Sequence, residues 1–545
     1  MNVKKLIATV IVTCLLLACS PDNNKKHMTG GAVNGTPVYG DVLVESSIGD
    51  ASNLIPMLAS DSASHAVAGY IYNGLVKYDK DYNIISDLAD SWDIETGGKL
   101  LRFHLKRNVL WHDGRPFTAQ DVMFTYQTII DPKTPTAYAG KYKLVKSASL
   151  IDDYTIEFEY DKPFAPSLIS WGSLQILPKH LLEGQNLVSS PLARSPVGTG
   201  PFKFKSWQSG SRIVLETNER YFDGRPYISG LAYRIIPDQT TQFLELKAGN
   251  IDTMGLSPLQ FLRQTDSQRF QAMYKKYKYL ANAYTYLGFN LQRSPFDNIN
   301  IRRAISHAID KTEIIKGVLL GLGEEATGPY KPGTQWYNPD VERFDYDPQK
   351  ARNLLNKEGY TDSDGDGILD RNGKPFEFTI ITNQGNPLRE KTAQIIQQRL
   401  KTTGIKVNIR IIEWTVFLKE YVDKVNFDAV ILGWNILQDP DLHTVWHSSN
   451  ATKGGLNFIS YKNVEVDKLL ENGRHSFDDQ IRKQCYDNFQ KILAHEQPYV
   501  FLYVPYSLPV VSSRFKGIVP APAGISYNLE DWYVPKDLQK YQVVP

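Results

Sequence analysis

The run from residue 376 to residue 412 places a strand, a helix and a strand in immediate succession, and that order constrains the fold more than any other stretch. FEFTIIT (376–382) is a short apolar run, a helix is expected from about Pro387 to Thr403 with Gly404 closing it, and IKVNIRII (405–412) is a second strand. Strand, helix and strand in this order form a β-α-β unit. FDAVILGW (427–434) adds a further strand, so the region 286–504 reads as an α/β domain in its own right. Ligands of open α/β sheets gather beyond the carboxyl ends of the strands. The segment LGWNILQDPDLHTVWHSS (432–449) sits at such an end and is the first place to look for a site.

Upstream, strands and helices are mixed rather than segregated. KLLRFHLK (99–106) alternates well enough for a strand, Thr118 is placed to cap the helix DVMFTYQTII, and FKFKSWQSGSRIVLET (202–217) reads as a hairpin around a Gln-Ser-Gly-Ser turn. A chain of 545 residues exceeds the size at which one core stops growing, so two or three domains are expected. No internal repeat is visible.

Residues 1–18 are expected to lie outside the fold. Lys4 and Lys5 precede an apolar run from Leu6 to Ala18, too short to span a bilayer and in keeping with a secretory signal. Leu16-Leu17-Ala18-Cys19 resembles the lipobox of bacterial lipoproteins, in which the cysteine becomes the lipid-bearing N-terminus. The segment 19–38 is rich in Asn, Gly, Lys and Pro and reads as a flexible tether. Cleavage after Ala18 removes two lysines from 61 basic residues and none of 59 acidic ones, leaving 59 of each. That balance argues against a nucleic-acid partner. With Cys14 removed and Cys19 lipidated, only Cys485 remains, so no intrachain disulfide is expected.

Within 432–449, Gly433 would let a ligand backbone approach, and Trp434 offers either a flat wall with an indole N–H or simply core packing. Asp439-Pro440-Asp441 suits a turn and a helix start, with Pro440 favoured at the first helical position. His443 and His447 would then share one helical face. That spacing can bind zinc, but the Glu of HExxH is missing and no nearby third ligand is evident, which favours ordinary surface or packing histidines. No GxSxG, GxxxxGK[ST] or CxxC is present, and the acidic neighbours Asp152-Asp153 and Asp478-Asp479 diverge as side chains in turns do. An envelope hydrolase is correspondingly disfavoured. Asp362, Asp364, Asp366, Gly367 and Asp370 in TDSDGDGILD are spaced like the start of a calcium loop, yet Gly373 stands where an EF-hand places Glu. A structural calcium and an Asp/Gly-rich surface turn both fit. No cofactor is required by any motif.

Several separated motifs together resemble the family 5 extracellular solute-binding proteins of bacterial ABC importers, which include dipeptide-, oligopeptide- and nickel-binding members. They are LADSWDIETGGKLLRFHLKRNVLWHDGRPFTAQDVMFTY (88–126), SPVGTGPFKFKSW (195–207), NERYFDGRPY (218–227), FNLQRSPFDNINIRRAISHAIDK (289–311) and GGLNFISYKNVEVDKLL (454–470). The resemblance implies an α/β fold of the periplasmic binding protein type (type II, cluster C), two large lobes plus an extra subdomain with the ligand cleft between lobes. Lobe I would comprise 39–78, 196–285 and 505–545, lobe II 79–195, and lobe III 286–504. It further implies strand addition of an extended ligand, with LGWN (432–435) on one side and the segment from Asn53 to Leu58 near the other. Gly433, Trp434 and Asn435 would line the cleft. Many dipeptide and oligopeptide binders carry an aspartate three residues after the Trp to hold the ligand amine; Leu437 stands there, so Asp439 is the substitute candidate. Arg389 is the candidate for a ligand carboxylate, and Trp414 and Asn290 are cleft candidates by position.

The resemblance thus implies a lipid-anchored, monomeric receptor on the periplasmic side of the cell envelope that hands peptides to an ABC permease. The same scaffold loaded with an oligosaccharide, an opine or a metal chelate stands beside it, since the 12% aromatic content also suits stacking on sugars. Whether the anchoring membrane is inner or outer stays open.

Overall fold

The computed structural model describes residues 36–542 apart from Ser60, Ala137 and Leu437. The signal, the lipobox with Cys19 and most of the tether lie outside the described residues. Among those described, no helix is long and apolar enough to cross a membrane.

The strand-helix-strand unit forms as its sequence requires. Glu377–Asn383 and Lys406–Ile412 pair in parallel, joined by the helix Pro387–Thr402. Asn386 caps that helix, its Oδ1 accepting the Arg389 N–H at 3.1 Å, and Gly404 ends it at φ +90°, a conformation in which an L side chain is strained. The two strands belong to a seven-stranded mixed sheet. Ala429–Asn435 runs parallel to Glu377–Asn383 and antiparallel to Ala283–Phe289, which in turn pairs with Tyr499–Ser507. Tyr499–Ser507 (YVFLYVPYS) is central and mostly buried, hence its unbroken apolar run. Alternate side chains feed two cores: Ile431 and Ile380 pack with Ile305 and Ile396 on one face, while Val430 and Leu432 pack with Trp446, Phe489 and Phe501 on the other.

The remainder of the chain builds a second body. Val42–Ser47, Gly230–Ile235, Arg212–Thr217 and Phe202–Gln208 make one four-stranded sheet, the last two being the expected hairpin. Ala89–Glu95, Leu100–Leu105, Thr155–Tyr160 and Val145–Asp152 make another, wholly antiparallel. In Thr155–Tyr160 (TIEFEY) the inner residues Ile156, Phe158 and Tyr160 are buried and the outer glutamates are not. The helix Ala119–Ile130 packs here, and Asp121 accepts the Thr118 N–H at 3.0 Å, the returning half of a capping box. One continuous core, from Leu43 through Phe103 and Trp171 to Val534, joins these two sheets.

The chain crosses between the bodies twice. Tyr277 belongs to the core of the second body and Tyr284 to that of the first, while Val504 and Leu508 lie on either side of the return. The two crossings pair with each other, Tyr279 opposite Ser507 and Leu280 opposite Tyr506. The boundaries expected at 285/286 and 504/505 therefore fall inside two strands of one sheet, which begins at Tyr279 and ends at Ser507. The bodies also touch elsewhere: the Ala165 N–H donates to the Arg474 carbonyl at 2.8 Å, and Phe477 packs over Gly98.

Candidate functional site: an open strand edge beside a cavity of mixed charge

Ala429–Asn435 is paired along its whole length on one side and only briefly on the other. Ala283–Phe289 matches every residue of it, from Ala283 opposite Asn435 to Phe289 opposite Ala429. The parallel neighbour registers only at Ile380 opposite Ala429 and Ile381 opposite Val430. Thr382 Oγ1 then donates to the Ile431 carbonyl at 3.1 Å, and past that point residues 432–435 have no strand partner on this side among the described residues. Such an edge is a template for another strand.

Gly433 and Arg389 occupy this edge together. A Cβ at Gly433 would lie 2.9 Å from the Tyr284 carbonyl oxygen and 3.1 Å from Arg389 Nη2, so the absent side chain leaves room for the guanidinium beside the strand. Arg389 Nη1 donates to Asn383 Oδ1 at 2.7 Å, and no carboxylate pairs with it among the described residues. Burial pushes its pKa down. A half-buried guanidinium without a counter-charge is costly, and its fork fits a carboxylate in two-point contact.

Trp434 turns to the opposite face. It packs on the tyrosine-rich core, tilted against Phe458 with ring centroids 6.0 Å apart, and its indole N–H points at Tyr499 Oη 3.4 Å away. It is therefore half core and half wall. Asn435 is exposed at the strand's end, and the next residues enter the space between the bodies.

There Gln438 and Asp439 form one wall of a cavity of about 550 Å³, within the usual range for ligand sites. The other body contributes Tyr70, Tyr78, Lys77, Lys141 and Glu530 to its lining. Glu530 has no ion-pair partner among the described residues, and burial raises its pKa. Burial likewise pushes Glu45 up to about 7 although the Tyr70 hydroxyl, 3.2 Å away, donates to its carboxylate. Asp439 is less free than its position in the sequence suggests. Arg482 Nη2 reaches both of its oxygens, at 3.1 and 2.9 Å, so its charge is already matched.

Asn290, Asn53 and Trp414, the other cleft candidates, sit in distinct local settings. Asn290 is 2% exposed and does not face the cleft; its amide donates to the carbonyls of Val425 and Phe427, at 3.0 and 2.9 Å, in the loop that leads into Ala429–Asn435. Asn53 uses its side chain locally, accepting the Ile55 N–H at 2.8 Å. Trp414 is 48% exposed and stacks on Phe417. The helix after Asp439-Pro440-Asp441 begins at His443 and is a single turn, His443–Trp446, not a helix with Pro440 in its first position. The reason is that Asp439 accepts the Asp441 N–H and Asp441 accepts the His443 N–H, two successive turns that hold the backbone extended before the helix. His443 and His447 nevertheless stack, ring centroids 4.1 Å apart, and Glu471 supplies the neighbouring acid that local sequence does not offer. Burial, then Arg474 and His447, push the His443 imidazole down to about 4.

In the acidic loop, the carboxylates of Asp362, Asp364 and Asp366 converge, each also accepting loop N–H groups. Asp370 is turned away onto Ser363, whose N–H and hydroxyl it accepts at 2.9 and 2.6 Å. Glu530, Tyr70 and Gln438 went unnoticed in the sequence because they come from three distant segments with no shared motif.

Comparison with known proteins places this geometry. Residues 83–455 match the family model described as bacterial extracellular solute-binding proteins, family 5, middle region. The oligopeptide-binding protein AppA of Bacillus subtilis is 34% identical over 543 residues, covering 97% of this chain and 98% of that protein. The structure of Bacillus subtilis AppA with a nonapeptide superposes with a TM-score of 0.81 at 33% identity, covering 92% of this chain and all of that one. NikZ of Campylobacter jejuni, in complex with Ni(L-His), gives a TM-score of 0.79 at 28% identity over 90% of this chain and 99% of that one. With the family model spanning more than half its length and two lobes of mixed α/β content joined by paired crossing strands, this chain belongs to the bacterial extracellular solute-binding proteins, family 5.

Proposed function

We propose that the protein is the substrate-binding lipoprotein of an ABC importer, capturing oligopeptides in the cell envelope and delivering them to the membrane permease. The observation that carries this reading is the unpaired edge at 432–435, where an extended peptide adds as a strand whatever its side chains are. Arg389 receives a ligand carboxylate at one end of that edge. Toward the other end the cavity lined by Gln438 offers the ligand's polar groups mixed charge: Glu530, which has no ion-pair partner among the described residues, with Lys77 and Lys141. Asp439 acts there through its pair with Arg482, shaping the wall rather than holding the amine. The nonapeptide bound by AppA, at 33% identity over 92% of this chain, supports the same ligand class. Enclosure comes from the two bodies closing about the paired crossings, and Cys19 carries the lipid that keeps the receptor at the membrane. The three converging carboxylates at 362–366 support a structural calcium outside the cleft, removed from the reading if calorimetry of chelator-treated protein with calcium gives no heat.

A metal chelate is the second reading, favoured by the Ni(L-His) held in NikZ. One experiment separates the two. Native mass spectrometry of the chain from residue 31 onward, followed by denaturation, releases whatever the cleft retained. Peptides of a common length with varied side chains are the expected result; a single chelate or sugar would overturn the peptide reading.

A further inference from the structure

Outside the ligand cleft, two histidines and one glutamate stand close enough to share an ion. His443 begins the single-turn helix His443–Trp446, His447 follows its end, and Glu471 lies on the helix Val464–His475. Glu471 Oε1 is 3.1 Å from His443 Nε2 and 3.7 Å from His447 Nε2, and all three donor atoms lie within 4.8 Å of one another. Donors around a tetrahedral ion with bonds of about 2.05 Å stand about 3.3–3.4 Å apart. The two observed separations bracket that value. As a hydrogen bond the arrangement is poor for one partner, since 3.7 Å is beyond bonding distance for His447.

We infer that His443, His447 and Glu471 form a binding site for a divalent transition metal of the zinc type, at the rim of the cleft. Imidazole nitrogens with one carboxylate oxygen are the donor set such ions take, with a fourth position left to water or a further side chain. Asp467 Oδ1 stands 3.9 Å from His447 Nε2 and already anchors the loop by accepting the Ser448 N–H at 2.8 Å. The Ser449 N–H donates to His447 Nδ1 at 3.1 Å, with Ser449 Oγ 2.8 Å from the same nitrogen, and the Asn450 amide nitrogen stands 3.3 Å from His443 Nδ1. A metal at the Nε2 atoms requires these donors to release Nδ1 for the ring proton. The stacking of the two rings, 18° from parallel, points both Nε2 edges to the same carboxylate.

The location gives the ion a structural task. The rim segment that starts at Asp439 is tied to the helix Val464–His475 by the pair between Asp441 and Arg474, 3.0 Å apart. Arg474 in turn accepts the Ala165 N–H from the other body through its carbonyl, and its guanidinium covers Phe164. A metal joining His443 and His447 to Glu471 fastens the same rim to the same helix a second time.

The test is titration of chelator-treated full-length mature protein with zinc by calorimetry, and with cobalt by visible absorption. One zinc per chain and a ligand-field band with cobalt are expected. His443→Ala and Glu471→Gln should each weaken zinc by about tenfold or more, while Asp364→Asn in the acidic loop leaves it unchanged. His447→Gln, which keeps a polar group beside Ser449, serves as a further variant if His443→Ala does not fold. Absence of zinc binding by the wild type, or unchanged affinity in the folded ligand variants, would overturn the site.

Discussion

Replacing Arg389 separates ligand recognition from stability, because the two are expected to move independently. Arg389→Met keeps much of the side-chain volume beside Gly433 while removing the guanidinium. The charge is half-buried against one neutral partner, Asn383 Oδ1, and its pKa is pushed down by burial. A base whose folded pKa is lowered carries its penalty at every pH below that pKa, neutral pH included. Removing it relieves desolvation, and leaving Asn383 without its donor costs about 1–3 kcal/mol. The opposing effects leave stability within about 1 kcal/mol of wild type, since replacing buried charge by apolar volume is often neutral or better. Ligand affinity behaves differently. A charge-assisted contact contributes about 1.5–3 kcal/mol, so the dissociation constant should rise about 10- to 150-fold. Calorimetry with a peptide recovered from the native protein, in free-acid and C-terminally amidated forms, reads this directly. The amide should bind wild type about as weakly as the acid binds Arg389→Met, and the variant should not distinguish them. If the variant binds the acid as tightly as wild type does, or if it melts far below wild type with affinity intact, the assignment of Arg389 to the ligand carboxylate fails.

Trp434→Ala should destabilise the protein by about 2 kcal/mol, because the indole packs on Phe458 and the tyrosine core, and should weaken ligand binding by more than about 1 kcal/mol through the strand that carries it. An unchanged urea midpoint with lower affinity would make it wall alone, and the reverse would make it core alone. Gly98→Ala places a Cβ 2.2 Å from the Phe477 ring at a φ of +87°, so small-angle scattering of the liganded protein should show a larger radius of gyration than wild type, and an identical one would discount this contact in closure. His112 is held neutral by burial, its pKa lowered to about 4 even though Nε2 faces the Gly200 carbonyl at 3.0 Å. A lowered imidazole pKa means that stability is present above the unfolded value near 6.5 and is lost as pH falls toward 4, by on the order of 3 kcal/mol. Urea unfolding at pH 7, 5.5 and 4 should show that decline, and His112→Asn should flatten it.

Local order was legible wherever the chemistry was local. The strands at 377–383 and 406–412, the helix between them and the Gly404 stop all follow from apolar runs, an Asn-Pro start and a left-handed glycine, and the box at Thr118 and Asp121 follows from its spacing. What escaped was the pairing of distant polar groups. Nothing near Asp439 in the chain announces that Arg482 neutralises it, and nothing near His447 announces Glu471. Asn290 shows the same limit from the other side. Its position beside a strand suggested a cleft residue, whereas two loop carbonyls that would otherwise be buried without donors claim its amide.

The open edge at 432–435 also bears on how a loaded receptor differs from an empty one. While the cleft is open, water satisfies the free N–H and C=O groups of that edge. Closing the bodies over it without a ligand removes the water and leaves each backbone group unpaired, at about 1–3 kcal/mol apiece. The contacts between the bodies are partly polar, such as the Ala165 N–H on the Arg474 carbonyl and Phe477 on Gly98. Stranded backbone groups oppose them. On the proposed reading, a peptide strand would supply the missing partners and shift the balance toward the closed form. On that reading, closure is tied to the presence of a backbone rather than to any one sequence, and the shape offered to a permease would report occupancy even where the cargo varies.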